Sequence, residues 1–100
     1  MKYLIKRKIM KAMNLKSTSG NPVPNQFELY NQKHNYFQSY NSTIVHIDYT
    51  YAPCKVELDQ KYWNYSRTTS KYRNQFLGET TKETQAKIDS GEYILADLNQ

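Results

Sequence analysis

Three side chains near the middle of the chain have the chemistry of a reactive or metal-binding site: His46, Asp48 and Cys54. His46 and Asp48 are two residues apart, so they share one face of any β-strand that contains them. Cys54 follows the turn expected at Pro53. An imidazole, a carboxylate and a thiol are the ligand types of zinc sites and the groups of nucleophilic catalysis.

This trio is too loosely arranged to predict a metal centre or an active site. A zinc site needs three or four ligands in a defined geometry. The other histidine, His34, falls in a predicted turn, where we expect a solvated side chain. A single cysteine excludes an internal disulfide and a paired-cysteine zinc site, and no G-x-x-x-x-G-K pattern for phosphate binding occurs. We therefore expect no enzymatic activity, no cofactor and no metal.

A second group of residues has the composition of a binding surface. Aromatic and basic side chains alternate between positions 55 and 73. Rings that stack on bases and cations that follow phosphates suit single-stranded nucleic acid, and tyrosine and arginine are also enriched where proteins bind one another. The alternative is that Trp63, Tyr72 and Phe76 belong to the core. The candidate binding residues are Lys61, Tyr62, Arg67, Lys71, Tyr72 and Arg73.

Positive charge is concentrated at the N-terminus. Six of the 14 basic residues lie in positions 1–16, where no acidic residue occurs. The segment is predicted to be a basic arm. Apolar residues at helical spacing favour a short basic amphipathic helix over residues 2–15, although Tyr3, Ile5 and Ile9 also fit a strand. Three roles fit this arm: a nucleic-acid tail, a contact for an acidic protein, or a solubilising terminus.

The distribution of basic and apolar residues also indicates where in the cell the protein is expected. Basic residues interrupt any apolar region of a signal peptide, and no stretch approaches the ~20 apolar residues of a membrane span. We expect a cytoplasmic protein that does not enter a membrane.

Residues 17–100 are predicted to form one α+β domain. A first helix, capped by Thr69 or Ser70, ends at Gly78, and a second begins at a capping box of Thr80 and Glu83 and ends near Gly91. The predicted architecture is a small antiparallel or mixed sheet of about five strands with two short helices on one face, preceded by the basic arm or helix. The strands are expected at residues 26–30, 36–40, 43–49, 55–59 and 93–98.

Three stretches, residues 17–27, 36–44 and 58–78, resemble a small uncharacterised domain family that tailed phages, including crAss-like phages, and mobile elements encode. The resemblance covers roughly residues 14–98 and brings no catalytic residue with it. His34 and residues 49–54 depart from the family pattern.

The resemblance implies an accessory protein of a phage or mobile element, present in the cytoplasm of the host cell. We expect it to act by stoichiometric binding, with a host protein, such as a defence protein, as the favoured partner. Single-stranded nucleic acid is the alternative partner, and a role in the virion or its assembly is a weaker alternative. A homo-oligomer is compatible with each role.

Overall fold

Six β-strands lie side by side in the order in which they occur along the chain. The computed structural model describes residues 10–100. Neighbouring strands are antiparallel, except that β6 pairs in parallel with β5. Two helices, α1 (Arg67–Leu77) and α2 (Thr81–Ser90), connect β5 to β6. The strands are β1 (Lys11–Lys16), β2 (Pro22–Tyr30), β3 (His34–Ser39), β4 (Ser42–Asp48), β5 (Lys55–Asp59) and β6 (Tyr93–Ala96).

This arrangement confirms the α+β prediction and adds one strand to the five that were expected. The additional strand is β1, which pairs with β2 from Lys11 opposite Tyr30 to Asn14 opposite Phe27. The helix predicted for residues 2–15 is therefore wrong for positions 11–15, because backbone pairing with β2 overrides local periodicity. The rest of the predicted basic arm, residues 1–9, lies outside the described residues.

The strand register places the core on one face of the sheet. Phe37 is paired with Val45, and Val45 with Leu58, so these side chains share a face. Both helices pack on this face, and the ring of Phe76 in α1 lies 5.7 Å from that of Phe37. Burial of these rings and aliphatic chains is the main stabilising contribution of the domain. The buried apolar residues are Leu15, Phe37, Ile44, Val45, Val56, Leu58, Tyr72 and Tyr93.

The alternate residues of the same strands point to the opposite face. Tyr36 is paired with His46, and His46 with Glu57. Because both helices pack on the core face, this second face is not covered by a helix within residues 10–100. We call it the open face.

Helix α1 begins one turn earlier than predicted. Its N-cap is Ser66, whose hydroxyl accepts a hydrogen bond from the Thr69 amide, so the predicted caps Thr69 and Ser70 lie inside the helix. The helix ends at Gly78, as predicted, with a φ of 71°. A left-handed residue at this position suits glycine.

Helix α2 agrees closely with its sequence signals. Thr80 and Glu83 form the predicted capping box, and Gly91 ends the helix with a φ of 85°. No helix in the described part of the chain is long and apolar enough to cross a membrane.

A carboxylate joins α2 to the last strand. Glu79 accepts hydrogen bonds from Lys87 Nζ at 2.7 Å and from the Tyr93 hydroxyl at 2.8 Å. Burial alone would raise the Glu79 pKa, but these donors and the Thr84 hydroxyl outweigh it and lower the pKa below its usual value.

The chain after β6 turns back across the end of the sheet. The Leu98 amide donates to Asp59 Oδ1 at 2.9 Å. The Asn99 side chain accepts from the Thr43 amide at 2.7 Å and donates to the Thr43 carbonyl at 2.8 Å. These contacts connect the C-terminal residues to both β4 and β5.

Candidate functional sites

The open face carries a group of polar side chains that cross-strand pairing brings together. His34 in β3 is directly opposite Asp48 in β4. His46 lies two residues before Asp48 on the same face, and Glu57 is opposite His46 in β5. We define His34, Tyr36, His46, Asp48 and Glu57 as the histidine cluster.

Hydrogen bonds connect the imidazoles of this cluster in a row. His34 Nδ1 and His46 Nε2 are 2.9 Å apart, and His46 Nδ1 lies 3.0 Å from Glu57 Oε1. The Tyr36 ring stacks on the His46 ring with centroids 4.4 Å apart. The side chains are 14% exposed for His46 and 26% for His34, so solvent reaches them without surrounding them.

The histidine cluster carries negative charge. Asp48 and Glu57 contribute two carboxylates, and the Lys55 Nζ lies 3.7 Å from Glu57 Oε2. Burial raises the pKa of the Tyr36 hydroxyl, and both carboxylates raise it further. Hydrogen bonds from the Thr50 hydroxyl and amide lower the pKa of Asp48. The site therefore favours a cation over an anion.

The structure changes the membership of the trio found in the sequence. His46 and Asp48 do lie together, but their third neighbour is His34, and Cys54 is an exposed free cysteine outside the group. The prediction that His34 is a solvated turn residue is wrong, because His34 begins β3 and stacks against His46. Periodicity within one strand does not reveal which residue of the next strand lies opposite it.

The predicted binding residues divide into two groups. Lys61, Arg67 and Lys71 are exposed, and Tyr62 is half-buried. Tyr72 and Arg73 are both buried: the structure agrees with the alternative that Tyr72 belongs to the core, and the surface position predicted for Arg73 is wrong. Tyr72 belongs to the hydrophobic core with a residual exposure of 8%. Whether the four accessible residues bind a partner stays a prediction.

Arg73 is a structural residue inside the domain. Its guanidinium donates to the Trp63 carbonyl, and to Asn74 Oδ1 and Thr81 Oγ1 at 2.8 Å each. It also lies 5.0 Å from the centre of the Trp63 ring, which is cation–π distance. Arg73 thus connects the loop before α1 to the start of α2 and is not available to a partner.

An open groove of about 580 Å³ lies at the end of the sheet beside α1. Tyr40 and Tyr65 line it and are 52% and 68% exposed. Tyr62 also lines the groove, with its ring 5.3 Å from that of Tyr65 in an edge-on arrangement. We call this site, lined by Tyr40, Tyr62, Tyr65 and several hydroxyl side chains, the tyrosine groove.

Tyr40 occupies an unusual backbone conformation at this groove. It lies in the turn between β3 and β4 with a φ of 55°, a region that glycine and asparagine adopt more readily than tyrosine. The Tyr40 amide donates to the Asn25 carbonyl at 2.7 Å, and the Gln38 side chain donates to the Tyr40 carbonyl at 2.8 Å. Tyr65 lies within the aromatic and basic segment found in the sequence but was not among the candidate binding residues, and Tyr40 lies outside that segment.

Comparison with known proteins gives one match. A family model described as "Family of unknown function (DUF8033)" matches residues 8–92, a range that includes both the histidine cluster and the tyrosine groove. No curated protein and no solved structure matches the chain.

Proposed function

The chain belongs to the family of unknown function DUF8033, and from that premise we propose that it acts by stoichiometric binding of another protein through the tyrosine groove. The observation that carries this proposal is the position of Tyr40. A bulky side chain at positive φ costs about 1 kcal/mol relative to glycine, and backbone strain of this kind is concentrated at functional sites. The Tyr40 side chain extends into solvent, so no core packing offsets the cost.

The chemistry of the groove suits a protein surface. Tyrosines provide large, rigid contact area with a hydrogen-bonding end, and they are enriched at the centres of protein interfaces. The Ser39 and Thr69 hydroxyls, 2.9 Å apart, lie at the base of the groove between Tyr40 and α1. A partner that inserts an apolar side chain with one polar group would be complementary to this arrangement.

The kind of partner follows from the resemblance to domains of tailed phages and mobile elements. Small accessory proteins of such elements commonly act by binding a host protein, and we propose a host protein, such as a defence protein, as the target in the cytoplasm. In this proposal the protein is an antagonist or modulator and not an enzyme.

Single-stranded nucleic acid is the second candidate partner, and one observation favours it. Lys61, Arg67 and Lys71 are all exposed, and Arg67 lies between two residues of the groove, Ser66 and Thr68. Bases stacked on Tyr40 and Tyr65 would place phosphates near these cations. The burial of Tyr72 and Arg73 removes two of the six residues first selected for this role, so we place nucleic acid second.

The test uses photo-crosslinking from within the groove. A photo-reactive phenylalanine derivative replaces Tyr65, and the matched control carries it in place of Tyr49, which is also about half exposed (50%) but lies in the loop between β4 and β5. We expect a host protein that crosslinks from position 65 only. The captured protein is then purified and its complex with the wild-type chain is measured by light scattering, where we expect one-to-one stoichiometry.

Two substitutions decide the role of the groove in that complex. Tyr40→Asn suits the positive φ, so we expect unchanged or slightly higher stability and a loss of affinity of at least about 10-fold, as for an interface hot spot. Tyr49→Ser should change affinity less than about 2-fold, because it lies outside the groove. Equal affinity of Tyr40→Asn and wild type would refute the proposal.

The nucleic-acid alternative is measured in parallel by fluorescence anisotropy with labelled single-stranded DNA and RNA. Binding at near-physiological salt that is lost in a Lys61→Ala, Arg67→Ala, Lys71→Ala variant would replace the protein partner with nucleic acid. A repeating self-association in the light-scattering experiment would instead favour the assembly role.

A further inference from the structure

We propose that His34, His46 and Asp48 bind one divalent transition-metal ion, of which Zn²⁺ is the best match, on the open face of the sheet. In residues 10–100 these three side chains each offer one ligand atom, and the three atoms lie within 4.8 Å of one another. The site is distinct from the tyrosine groove.

The spacing of the ligand atoms is close to that of a coordination sphere. Zn²⁺ binds imidazole nitrogen and carboxylate oxygen at about 2.0–2.2 Å in tetrahedral geometry, which places neighbouring ligand atoms about 3.3 Å apart. His34 Nδ1 lies 2.9 Å from His46 Nε2 and 3.8 Å from Asp48 Oδ1. Small side-chain rotations therefore suffice to bring these atoms around an ion, without movement of the strands.

Two of the three ligands are already held by neighbouring groups. When Glu57 Oε1 accepts a hydrogen bond from His46 Nδ1, the electron pair of His46 lies on Nε2, where it accepts from His34 Nδ1. An ion replaces this second hydrogen bond, and His34 then carries its proton on Nε2, which frees Nδ1 to bind. The Thr50 amide and hydroxyl donate to Asp48 Oδ1 at 2.9 and 2.6 Å. Carboxylate and hydrogen-bond partners of this kind orient ligands in metal sites. Ligand side chains that are held in this way on a β-sheet distinguish a metal site from an accidental cluster.

The chemistry of the ligands selects the ion. Two imidazoles and one carboxylate suit Zn²⁺ and the neighbouring transition metals better than Mg²⁺ or Ca²⁺, which prefer oxygen ligands alone. The two carboxylates of the histidine cluster also give it a negative charge that attracts a divalent cation. Three protein ligands leave at least one position of the ion for water, because the open face admits solvent.

Sequence reasoning could not find this site because its third ligand comes from another strand. His34 is 12 residues from His46, and only the antiparallel register of β3 and β4 places it opposite Asp48. The expectation of no metal rested on the loose trio of His46, Asp48 and Cys54, which does not include His34.

The experiment is a calorimetric titration of the purified full chain with Zn²⁺. Any histidine tag is removed first, so that the two histidines of the chain are the only imidazoles that can bind the ion. We expect saturable binding of one ion per chain. Titration with Co²⁺ adds a second readout, because four-coordinate Co²⁺ absorbs visible light far more strongly than six-coordinate Co²⁺. We expect the strong absorption and its loss on addition of excess Zn²⁺.

Substitutions assign the ligands. His46→Gln and Asp48→Asn should each weaken binding at least about 100-fold. Glu57→Gln, which alters the orientation of His46 and removes one negative charge, should weaken it about 10–100-fold. Asp48→Asn keeps an oxygen that accepts from Thr50, so the loop is expected to stay folded, and circular dichroism checks this. Cys54→Ser is the matched control and should change affinity less than 2-fold.

The opposing interpretation is that the cluster is only a row of hydrogen bonds between side chains. It predicts no saturable heat with Zn²⁺ up to millimolar concentration and no change in Co²⁺ absorption. Either that result, or Zn²⁺ binding that survives Asp48→Asn and is lost in Cys54→Ser, would overturn the proposal.

Discussion

Replacement of Arg73 tests whether this residue acts through the fold. In Arg73→Ala the Trp63 carbonyl, Asn74 and Thr81 lose a charged donor while they remain buried or partly buried. Hydrogen bonds to a charged group contribute about 1.5–3 kcal/mol each. The desolvation of the guanidinium, which Arg73→Ala removes, offsets part of their sum. We therefore expect the free energy of unfolding to fall by about 3 kcal/mol.

That loss is large for a domain of 100 residues, whose total stability is about 5–15 kcal/mol. It corresponds to a decrease in Tm of roughly 15 °C, at about 4–8 °C per kcal/mol. Thermal and urea unfolding, followed by circular dichroism, measure both quantities. Arg73→Lys keeps the charge but lacks the planar set of donors, so we expect an intermediate loss of about 1.5–2 kcal/mol.

Lys71→Ala is the matched control, because Lys71 belongs to the same helix and is exposed. Its effect on stability should stay within about 0.5 kcal/mol. If Arg73→Ala unfolds at the wild-type temperature while partner binding is lost, Arg73 acts at a surface, and the reasoning from its burial fails.

Three further predictions concern a helix end and two buried carboxylates. Glu79 has a lowered pKa in the folded state. Its ionised carboxylate therefore stabilises the fold fully above the unfolded pKa of about 4.3, and this stabilisation is lost as pH falls through the folded pKa. The difference in unfolding free energy between wild type and Glu79→Gln, measured by urea unfolding, should shrink from pH 6 to pH 3. Gly78→Ala should lower stability by about 1 kcal/mol, because its φ is 71° although no atom lies within 4 Å of the added methyl group. Asp59→Asn should cost about 2 kcal/mol in thermal unfolding, since Asp59 accepts hydrogen bonds from three backbone N–H groups. A wild-type Tm would contradict the backbone argument for Gly78→Ala and the hydrogen-bond argument for Asp59→Asn.

Local signals in the sequence were sufficient where an element depends on its own residues. The capping box of Thr80 and Glu83 and the left-handed positions of Gly78 and Gly91 are formed by residues within one turn of each other, so their spacing predicts them directly. The alternation of β4 and β5 likewise follows from one buried face. The α+β class could be predicted from these elements alone.

Features that depend on contacts between separate segments of the chain could not be predicted in this way. Residues 11–16 become a strand because β2 offers them backbone partners. Arg73 is buried because Trp63, Asn74 and Thr81 surround it, and charged residues are seldom buried without such partners. His34 joins His46 only through the β3–β4 register. In each case the missing information is which segments are neighbours in space.

The order of the strands has a consequence for how the domain forms and opens. Strands β1 to β5 pair with their neighbours in the chain, so short loop closures suffice to assemble them. Strand β6 can pair with β5 only after the chain has passed through both helices, and its loop-closure entropy is correspondingly larger. We expect β6 and the C-terminal residues to be the last part to dock and the first to detach. Detachment would leave the backbone of β5 unpaired, and an unpaired edge of this kind accepts a strand from a second copy, which is the first step of domain swapping.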